Sequence, residues 1–470
     1  MTMSKNILIL SDGTGQGGGV ILDEKRSNVY KLYRATRSGP ETSIAPDEQI
    51  AFYDPGLGSS RDNEHIRFGL WRKIYNALAQ AMGLGITRNI IDCYAFIIQH
   101  WHEGDRVYLY GFSRGAYTAR CVGGVMAYCG IPTMENNKPI KRDAKTARRI
   151  AEEAVIKVYQ HGVGRKQERF ALQRKELAAE FRKKYQSEIK PKNVEKGWSN
   201  AVPYFIGVWD TVAALGASLP KMIVLGLVLT GFVFSMFALT YFALVFFGLL
   251  SPSIGYLKWS LIGTSISFVL ALASYAFTHI RCAPELSTPW WKTIHRRAWK
   301  MQFYDTYLNP RVQYAKHALS IDENRHDFKR VEWTDHSKSH RQKTQNWFQQ
   351  MWFPGVHSDV GGSYLETESR LSDIALSWMV KCSKSAKHPV LFDEHYLRMY
   401  PDAKGVQHDE RKGKFPWKFG LRDIPNNAAL HPSVIERFEA GAVVHFDEVT
   451  EYRPVALETH DEVKHFFKKD

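Results

Sequence analysis

The chain has 470 residues, of which 44% are hydrophobic and 24% charged, so it is neither disordered nor fibrous and is long enough for two or three domains. Its formal net charge of +15 is explained by binding to nucleic acid, by binding to an anionic membrane or by a local basic tract. The mean hydropathy of −0.33 suits a water-soluble protein, but two long uncharged segments exclude a purely soluble one.

The cysteine content fits a reducing compartment. The five cysteines are an odd number and none forms a C-x-x-C pair, which argues against a disulfide framework and against a cysteine-rich zinc site. Residues 7–10 are only four apolar residues, too few for the core of a signal peptide. We expect neither a metal nor a cofactor.

Strand and helix patterns alternate along the chain. Short apolar runs predict strands at residues 5–10, 106–110, 202–209 and 349–356. The spacing of apolar and small residues predicts helices after Ser27, at 86–102 and at 116–128. This alternation predicts an α/β fold with a mostly parallel sheet.

A charged helical insertion interrupts the pattern after residue 132. Residues 133–196 contain 18 Lys and Arg against 9 Asp and Glu. The surplus of 9 positive charges is more than half of the net charge of the chain. A solvated helical face and contact with anionic lipid head groups both explain such a surplus. Nucleic acid is disfavoured as a partner because the acidic residues are interleaved and few aromatic residues are available for base stacking.

A second insertion consists of two apolar runs. Residues 222–250 and 259–277 contain 29 and 19 residues without a charge. As helices they would span about 43 and 28 Å, against a hydrocarbon core of about 30 Å. The turn residues 251–255 separate them, so the sequence predicts a transmembrane helical hairpin, the alternative being a helical pair buried in a large core.

The charges that flank the hairpin predict its orientation. Only Lys258 lies near the turn, whereas six basic residues lie outside the two runs: Lys221, Arg281, Lys292, Arg296, Arg297 and Lys300. The positive-inside rule then places both flanks, and the α/β domain with them, in the cytoplasm. We expect a two-helix protein of a bacterial inner membrane.

A nucleophile motif follows the second predicted strand. Residues 111–115 read Gly-Phe-Ser-Arg-Gly and match G-x-S-x-G between a strand and a helix. Such a turn exposes the Ser113 hydroxyl above the sheet, and the N–H of Arg114 points to where an oxyanion forms. The sequence therefore predicts a serine nucleophile.

Downstream residues supply an acid and a base in the order nucleophile, acid, histidine. Asp210 ends a predicted strand, and His357 lies on a glycine-rich loop after another. Asp359 and Asp12 remain alternative acids.

The loop after the first predicted strand also has G-x-G-x-x-G spacing, but no helix opens within it, which disfavours a dinucleotide site. In a hydrolase this loop would supply a second oxyanion donor from Gly13 or Thr14.

A series of motifs resembles a known family. The motifs lie at residues 12–14, 27–30, 53–58, 104–105, 111–120, 208–212, 318–323, 352–362, 431–433 and 452–454. Together they resemble the catalytic domain of type VI secretion lipase effectors of the first phospholipase family. The resemblance implies an α/β-hydrolase fold and phospholipase activity, with Ser113, Asp210 and His357 at the triad positions.

These patterns predict six segments. They are a first part of the hydrolase core (1–132), the basic helical insertion (133–200), a core strand with the acid (201–220), the transmembrane hairpin (221–280), a second part of the core (281–390) and the C-terminal part of the catalytic domain (391–470). We expect a membrane-anchored phospholipase whose partners are the phospholipid bilayer and a second copy or a regulatory protein. The alternative is a membrane-anchored binding, signalling or membrane-disrupting module with a non-lipid ester substrate or a vestigial triad.

Overall fold

A computed structural model describes most of the chain. The described residues are 4–13, 25–56, 85–162, 167–189, 197–212, 219–296, 306–333, 346–412 and 417–467. The chain forms two compact units, which are described separately below. The first comprises Met1–His161, Ala171–Ala214 and Gln302–Asp470, and the second comprises Gly162–Phe170 and Leu215–Met301.

The first unit is built on a six-stranded sheet. Its strands are β1 (Asn6–Ser11), β2 (Gln49–Asp54), β3 (Arg106–Phe112), β4 (Phe205–Trp209), β5 (Tyr314–Ser320) and β6 (Phe348–Phe353). Their order is β6-β5-β4-β3-β1-β2, and every neighbouring pair is parallel. The predicted α/β class with a parallel sheet is confirmed.

The order of the strands reverses at one point of the sheet. The chain leaves β1 for β2 on one side and returns to β3 on the other side of β1, so the order reverses between β1 and β3. In open parallel sheets, ligands bind at the carboxyl ends of the strands where the order reverses. The loops that begin at Asp12 and at Ser113 leave the sheet at this point.

The described residues of the two units also form α-helices. The helices are α1 (Asn28–Thr36), α2 (Ile86–His100), α3 (Arg114–Cys129), α4 (Ala144–Glu152), α5 (Gln167–Tyr185), α6 (Leu219–Phe246), α7 (Tyr256–His279), α8 (Trp290–Thr293), α9 (His357–Gly361), α10 (Arg370–Lys384) and α11 (Pro432–Glu439). A π-helix, Glu153–Tyr159, continues α4. Short 3-10 turns lie at Pro252–Ile254, Glu366–Glu368, Val455–Leu457 and Lys464–Phe467.

Short antiparallel pairs complete the secondary structure. They are Met134–Glu135 with Lys138–Pro139, Glu188–Ile189 with Trp198–Ser199, Ile280–Arg281 with His295–Arg296, and Ala442–His445 with Glu448–Glu451.

Two strands of the sheet lack a clear sequence signal. β2 lies at the edge, is only partly buried and has just four consecutive apolar residues, 50–53. β5 contains three buried polar residues, Lys316, His317 and Ser320. The Lys316 ammonium is accommodated by hydrogen bonds of 2.7 Å to the carbonyl of Asn346 and 2.8 Å to the Gln349 side chain. Hydrogen bonds formed in the folded protein thus satisfy the Lys316 ammonium, one of the polar groups that interrupt the apolar pattern that would predict a strand.

The second unit contains the two apolar helices. Gly226–Phe246 of α6 and Tyr256–Phe277 of α7 are long and apolar enough to cross a membrane, and only 6% of the most apolar window of each is buried. The helices pack against each other, since a Cβ on Gly263 would lie 2.5 Å from the Phe237 ring. The helices form where the sequence predicts them, and their insertion in a membrane stays a prediction.

Candidate active site

Ser113 occupies a constrained turn between β3 and α3. Its φ of 57° and ψ of −120° are unusual for a residue with a side chain. A Cβ on Gly111 would lie 2.4 Å from the carbonyl oxygen of Gly115, and a Cβ on Gly115 would lie 2.1 Å from that of Ser11. The two flanking glycines are therefore required for the strand and the helix to approach each other this closely.

Ser113 lies beside the end of β4, and Asp210 directly follows that strand. The N–H of Ser113 donates to the carbonyl of Trp209 at 3.1 Å, and Asp210 is the next residue. Asp210 is fully buried and also has a positive φ, 34°. The Phe112 ring, next to Ser113, lies 4.6 Å from the His357 ring. The three residues of the predicted triad thus meet at one edge of the sheet.

His357 and Asp210 are joined directly. Nδ1 of His357, at the start of α9, lies 2.6 Å from Oδ2 of Asp210. Such a hydrogen bond fixes the orientation of the imidazole and leaves Nε2 for proton transfer. The two residues are 147 positions apart, and the pairing of β4, β5 and β6 brings them together.

The Asp210 carboxylate is held in its charged form. Burial opposes its ionisation, but Arg422 and His357 outweigh burial and hold the pKa of Asp210 well below its usual range. Nη2 of Arg422 donates to Oδ2 at 2.8 Å, and the N–H of Ser320 donates to Oδ1 at 3.2 Å. Sequence reasoning missed Arg422, because no motif or spacing connects it with a residue 212 positions earlier.

The two alternative acids have other partners. Asp12 accepts hydrogen bonds from the Ser27 hydroxyl at 2.5 Å and the Tyr53 hydroxyl at 2.6 Å. Asp359 contacts Nδ1 of His408 at 2.8 Å, and burial raises the pKa of Asp359 to about 6. The structure therefore places these two carboxylates in supporting networks and Asp210 on the imidazole.

The predicted oxyanion donors differ in their surroundings. Arg114 is the first residue of α3, so its N–H points out of the N-terminus of the helix. Gly13 passes close to the nucleophile, since a Cβ on it would lie 3.5 Å from Cβ of Ser113. Its N–H, however, donates to Oδ1 of Asp12 at 2.7 Å. Thr14, the other predicted donor, lies outside the described residues.

A second network supports the histidine loop. Oε2 of Glu323 accepts the backbone N–H of His357 at 3.2 Å. Glu323 also binds the guanidinium of Arg325, with oxygen–nitrogen distances of 2.7 and 2.8 Å. That guanidinium lies 3.6 Å over the Phe328 ring, which contacts the His357 ring edge-on at 5.3 Å. The network begins just after β5 and contacts both the backbone and the ring of His357.

A family profile matches the chain at residues 5–236 and 282–382, and its description is "T6SS, Phospholipase effector Tle1-like, catalytic domain". This match covers more than half of the 470 residues. This chain belongs to the Tle1-like family of phospholipase effector catalytic domains. The resemblance expected from the motif series is confirmed, and the Tle1-like match is interrupted at the apolar hairpin.

Similar proteins are known from yeast and from bacteria. The uncharacterized protein YEL023C of Saccharomyces cerevisiae is 31% identical over 130 residues, which are 27% of this chain and 18% of the yeast protein. A crystal structure of an uncharacterized protein from Pseudomonas aeruginosa has a TM-score of 0.36 at 16% identity, covering 85% of this chain and 48% of that one. The Tle1 effector bound to the VgrG spike of a type 6 secretion system has a TM-score of 0.29 at 15% identity, covering 78% and 52%. The chain thus spans about half or less of the length of each.

Proposed function

We propose that this Tle1-like chain is a serine ester hydrolase with an α/β-hydrolase-like catalytic domain. The observation that supports it most is the constrained Ser113 turn at the sheet edge where Nδ1 of His357 meets Asp210 at 2.6 Å. A strained backbone at a buried serine costs stability, and it is retained where the hydroxyl must be presented to a substrate.

The three side chains divide the chemistry among them. The Ser113 hydroxyl attacks the ester carbonyl while Nε2 of His357 takes its proton, and the same nitrogen then protonates the leaving alcohol. Asp210 stabilises the imidazolium that forms in between. The Arg114 N–H donates to the oxyanion, a contribution of about 2.7–4 kcal/mol for one such donor. Water then releases the acyl group by the reverse sequence.

The substrate we propose is a phospholipid. The family match supports a phospholipase-type function. An exposed apolar ridge, formed by Trp417, Phe419 and Leu421, supports a lipid substrate further, because these side chains are 38%, 55% and 50% exposed. The Trp417 ring contacts Phe328 edge-on at 5.5 Å, and Phe328 in turn contacts His357. One aromatic ring, that of Phe328, therefore separates the ridge from the proposed base.

We further propose that α6 and α7 anchor the protein in a bacterial inner membrane, with the catalytic domain in the cytoplasm. Their length, their exposed apolar side chains and the basic residues that flank them support this location. The basic insertion at 133–200 would add contact with anionic head groups.

The test is hydrolysis of phospholipid in detergent micelles by the wild type and by Ser113→Ala. We expect the substitution to lower the rate by about 10³-fold or more. Mass spectrometry of the lipids would show which ester is cleaved, and a fluorophosphonate probe should label the wild type only. Ser385→Ala, on an exposed serine far along the chain, is the matched control and should keep both properties. Undiminished hydrolysis by Ser113→Ala would refute Ser113 as the nucleophile. A wild type that neither hydrolyses ester nor reacts with the probe would favour the binding-module alternative.

A further inference from the structure

An arginine from the C-terminal part of the chain touches the proposed triad. The Arg422 side chain is 5% exposed, and its Nη2 lies 2.8 Å from Oδ2 of Asp210. This is the same oxygen that Nδ1 of His357 contacts at 2.6 Å. Two positively polarised groups therefore share one carboxylate oxygen in a buried site.

The remaining nitrogens of Arg422 distinguish it from a structural arginine. Within the described part of the chain, Nε and Nη1 of Arg422 have no hydrogen-bond partner. Arg437 is also buried, but its terminal nitrogens donate to the carbonyls of Ala403, Gly405 and Val444. Burial of a guanidinium is costly unless it is compensated, and for Arg422 the compensation is the charge of Asp210.

The other charged groups around Asp210 come from β5 and from the segment that follows it. His317 accepts the N–H of Thr211, and burial together with the nearby Arg120 lowers the pKa of His317 to about 3, so it is neutral near pH 7. Arg330 interacts electrostatically with Asp210 but hydrogen-bonds to the carbonyl of Asp423. Arg422 is therefore the cation in direct contact with the carboxylate.

The groups that face His357 are mostly acidic or aromatic. The Phe112 and Phe328 rings lie on it, and Glu323 accepts its backbone N–H. Glu410 interacts with it electrostatically, and although burial opposes the ionisation of Glu410, Arg325 and its other partners hold the pKa of Glu410 below its usual range. Asp359 lies two residues after His357, and its pKa of about 6 falls in the range in which a histidine base titrates.

We propose that Arg422 is a positioning residue that acts on His357 through Asp210. It fixes the carboxylate oxygen that orients the imidazole, and its charge reduces the attraction of Asp210 for the imidazolium. The arginine charge therefore weakens the binding of a proton to the Asp210–His357 pair as a unit. This inference rests on the proposed hydrolase function for its role in catalysis.

The sign of the expected effect follows from the charges. Removal of the arginine charge strengthens the binding of a proton to the Asp210–His357 pair, so the acid limb of the kcat/KM profile moves to higher pH. Two unit charges about 5 Å apart at an effective dielectric constant of about 20 interact strongly enough for a shift of one pH unit or more.

The experiment compares Arg422→Gln, Arg422→Lys and Arg437→Gln in the full-length protein, with a soluble monomeric ester as substrate. We expect the acid limb of Arg422→Gln to lie about one pH unit or more above that of the wild type. Arg422→Lys should restore most of the wild-type position. Arg437→Gln removes an equally buried arginine and should lower stability without moving the limb. The shift should persist when Asp359→Asn is added. An equal loss of rate at every pH, with the limb unmoved, would overturn the proposal.

A second readout keeps this inference distinct from the proposed function. The His357 imidazole is titrated by NMR with ¹⁵N-labelled histidine, its signal being identified as the one lost in His357→Gln. An upward shift in Arg422→Gln supports the coupling even if the wild type hydrolyses no ester, in which case only the hydrolase proposal fails. An unshifted titration refutes the coupling whether or not the wild type is active.

Discussion

The sheet edge with the proposed triad and the apolar hairpin differ in how they treat charge. At this edge, contacts with Arg422 and His357, which come from distant parts of the chain, stabilise the buried Asp210 in its ionised form. In the hairpin, α6 and α7 expose apolar side chains along two continuous runs that contain no charge from residue 222 to 250 and from 259 to 277. At the sheet edge, specific partners compensate the cost of burying a charge. The hairpin avoids that cost because its apolar runs contain no charged residue.

The largest effect should come from removing the buried charge at the edge. Asp210→Asn is expected to lower kcat by about 10⁴-fold, because the amide favours the wrong imidazole tautomer and stabilises no imidazolium. Steady-state hydrolysis of a soluble ester measures it. Asp359→Asn and Asp12→Asn remove carboxylates with other partners, so their losses should be far smaller. A greater loss in either of these than in Asp210→Asn would reassign the acid.

The nucleophile turn should tolerate no added atom. Gly115→Ala places a methyl group 2.1 Å from the backbone of Ser11, so strand and helix must separate, and we expect a loss of about 4 kcal/mol in the free energy of unfolding. Thermal or urea unfolding of the detergent-solubilised protein measures it. Gly39→Ala is the control, since nothing lies within 4 Å of the added Cβ there and its stability should be nearly unchanged. Equal stability of the two variants would contradict the close approach of β1 and α3.

The hairpin should be sensitive to one charge where an equally exposed site in the first unit is not. Leu227 on α6 and Leu172 on α5 are 69% and 76% exposed. Leu239, which is 66% exposed, lies nearer the middle of the apolar span than Leu227 does. If α6 is in a bilayer, Leu239→Lys should disfavour insertion by about 3 kcal/mol, Leu227→Lys by less because its charge can reach the interface, and Leu172→Lys should be neutral. Membrane fractionation and protease protection report the inserted fraction. Equal insertion of all three variants and the wild type would argue for a hairpin that lies outside the hydrocarbon core.

The smallest effect should come from the apolar ridge of Trp417, Phe419 and Leu421. The double variant Phe419→Asp, Leu421→Asp should lower phospholipid hydrolysis in mixed micelles about tenfold, because it removes roughly one to two large apolar contacts with lipid. Hydrolysis of a soluble ester should be unchanged. Val449→Asp with Val455→Asp alters two exposed apolar residues elsewhere and serves as the control. A parallel loss on both substrates would show that the ridge supports the fold instead of the lipid.

Local patterns predicted the parts of the molecule that are built locally. The residues of the Ser113 turn are consecutive, and the strand, two glycines and helix that create it are all visible within residues 106–128. The two apolar helices likewise coincide with continuous apolar runs, and their ends differ from the predicted ones by a few residues. β2 and β5 were not predicted, because one lies at a partly exposed edge and the other contains Lys316 and His317, whose partners come from elsewhere in the fold.

The sequence alone determined the nucleophile turn, the apolar hairpin, the class of fold and the membership of a Tle1-like family, since each depends on residues that are neighbours in the chain. Only the tertiary structure decided which of three carboxylates contacts His357, and that Arg422 shares its oxygen. It also showed that the Gly13 N–H donates to Asp12. The contacts of Asp210 with His357 and Arg422 join positions 147 and 212 residues apart, and no local spacing in the sequence records them. They form only when the strands pair in the observed order and the segment with Arg422 reaches the end of β4.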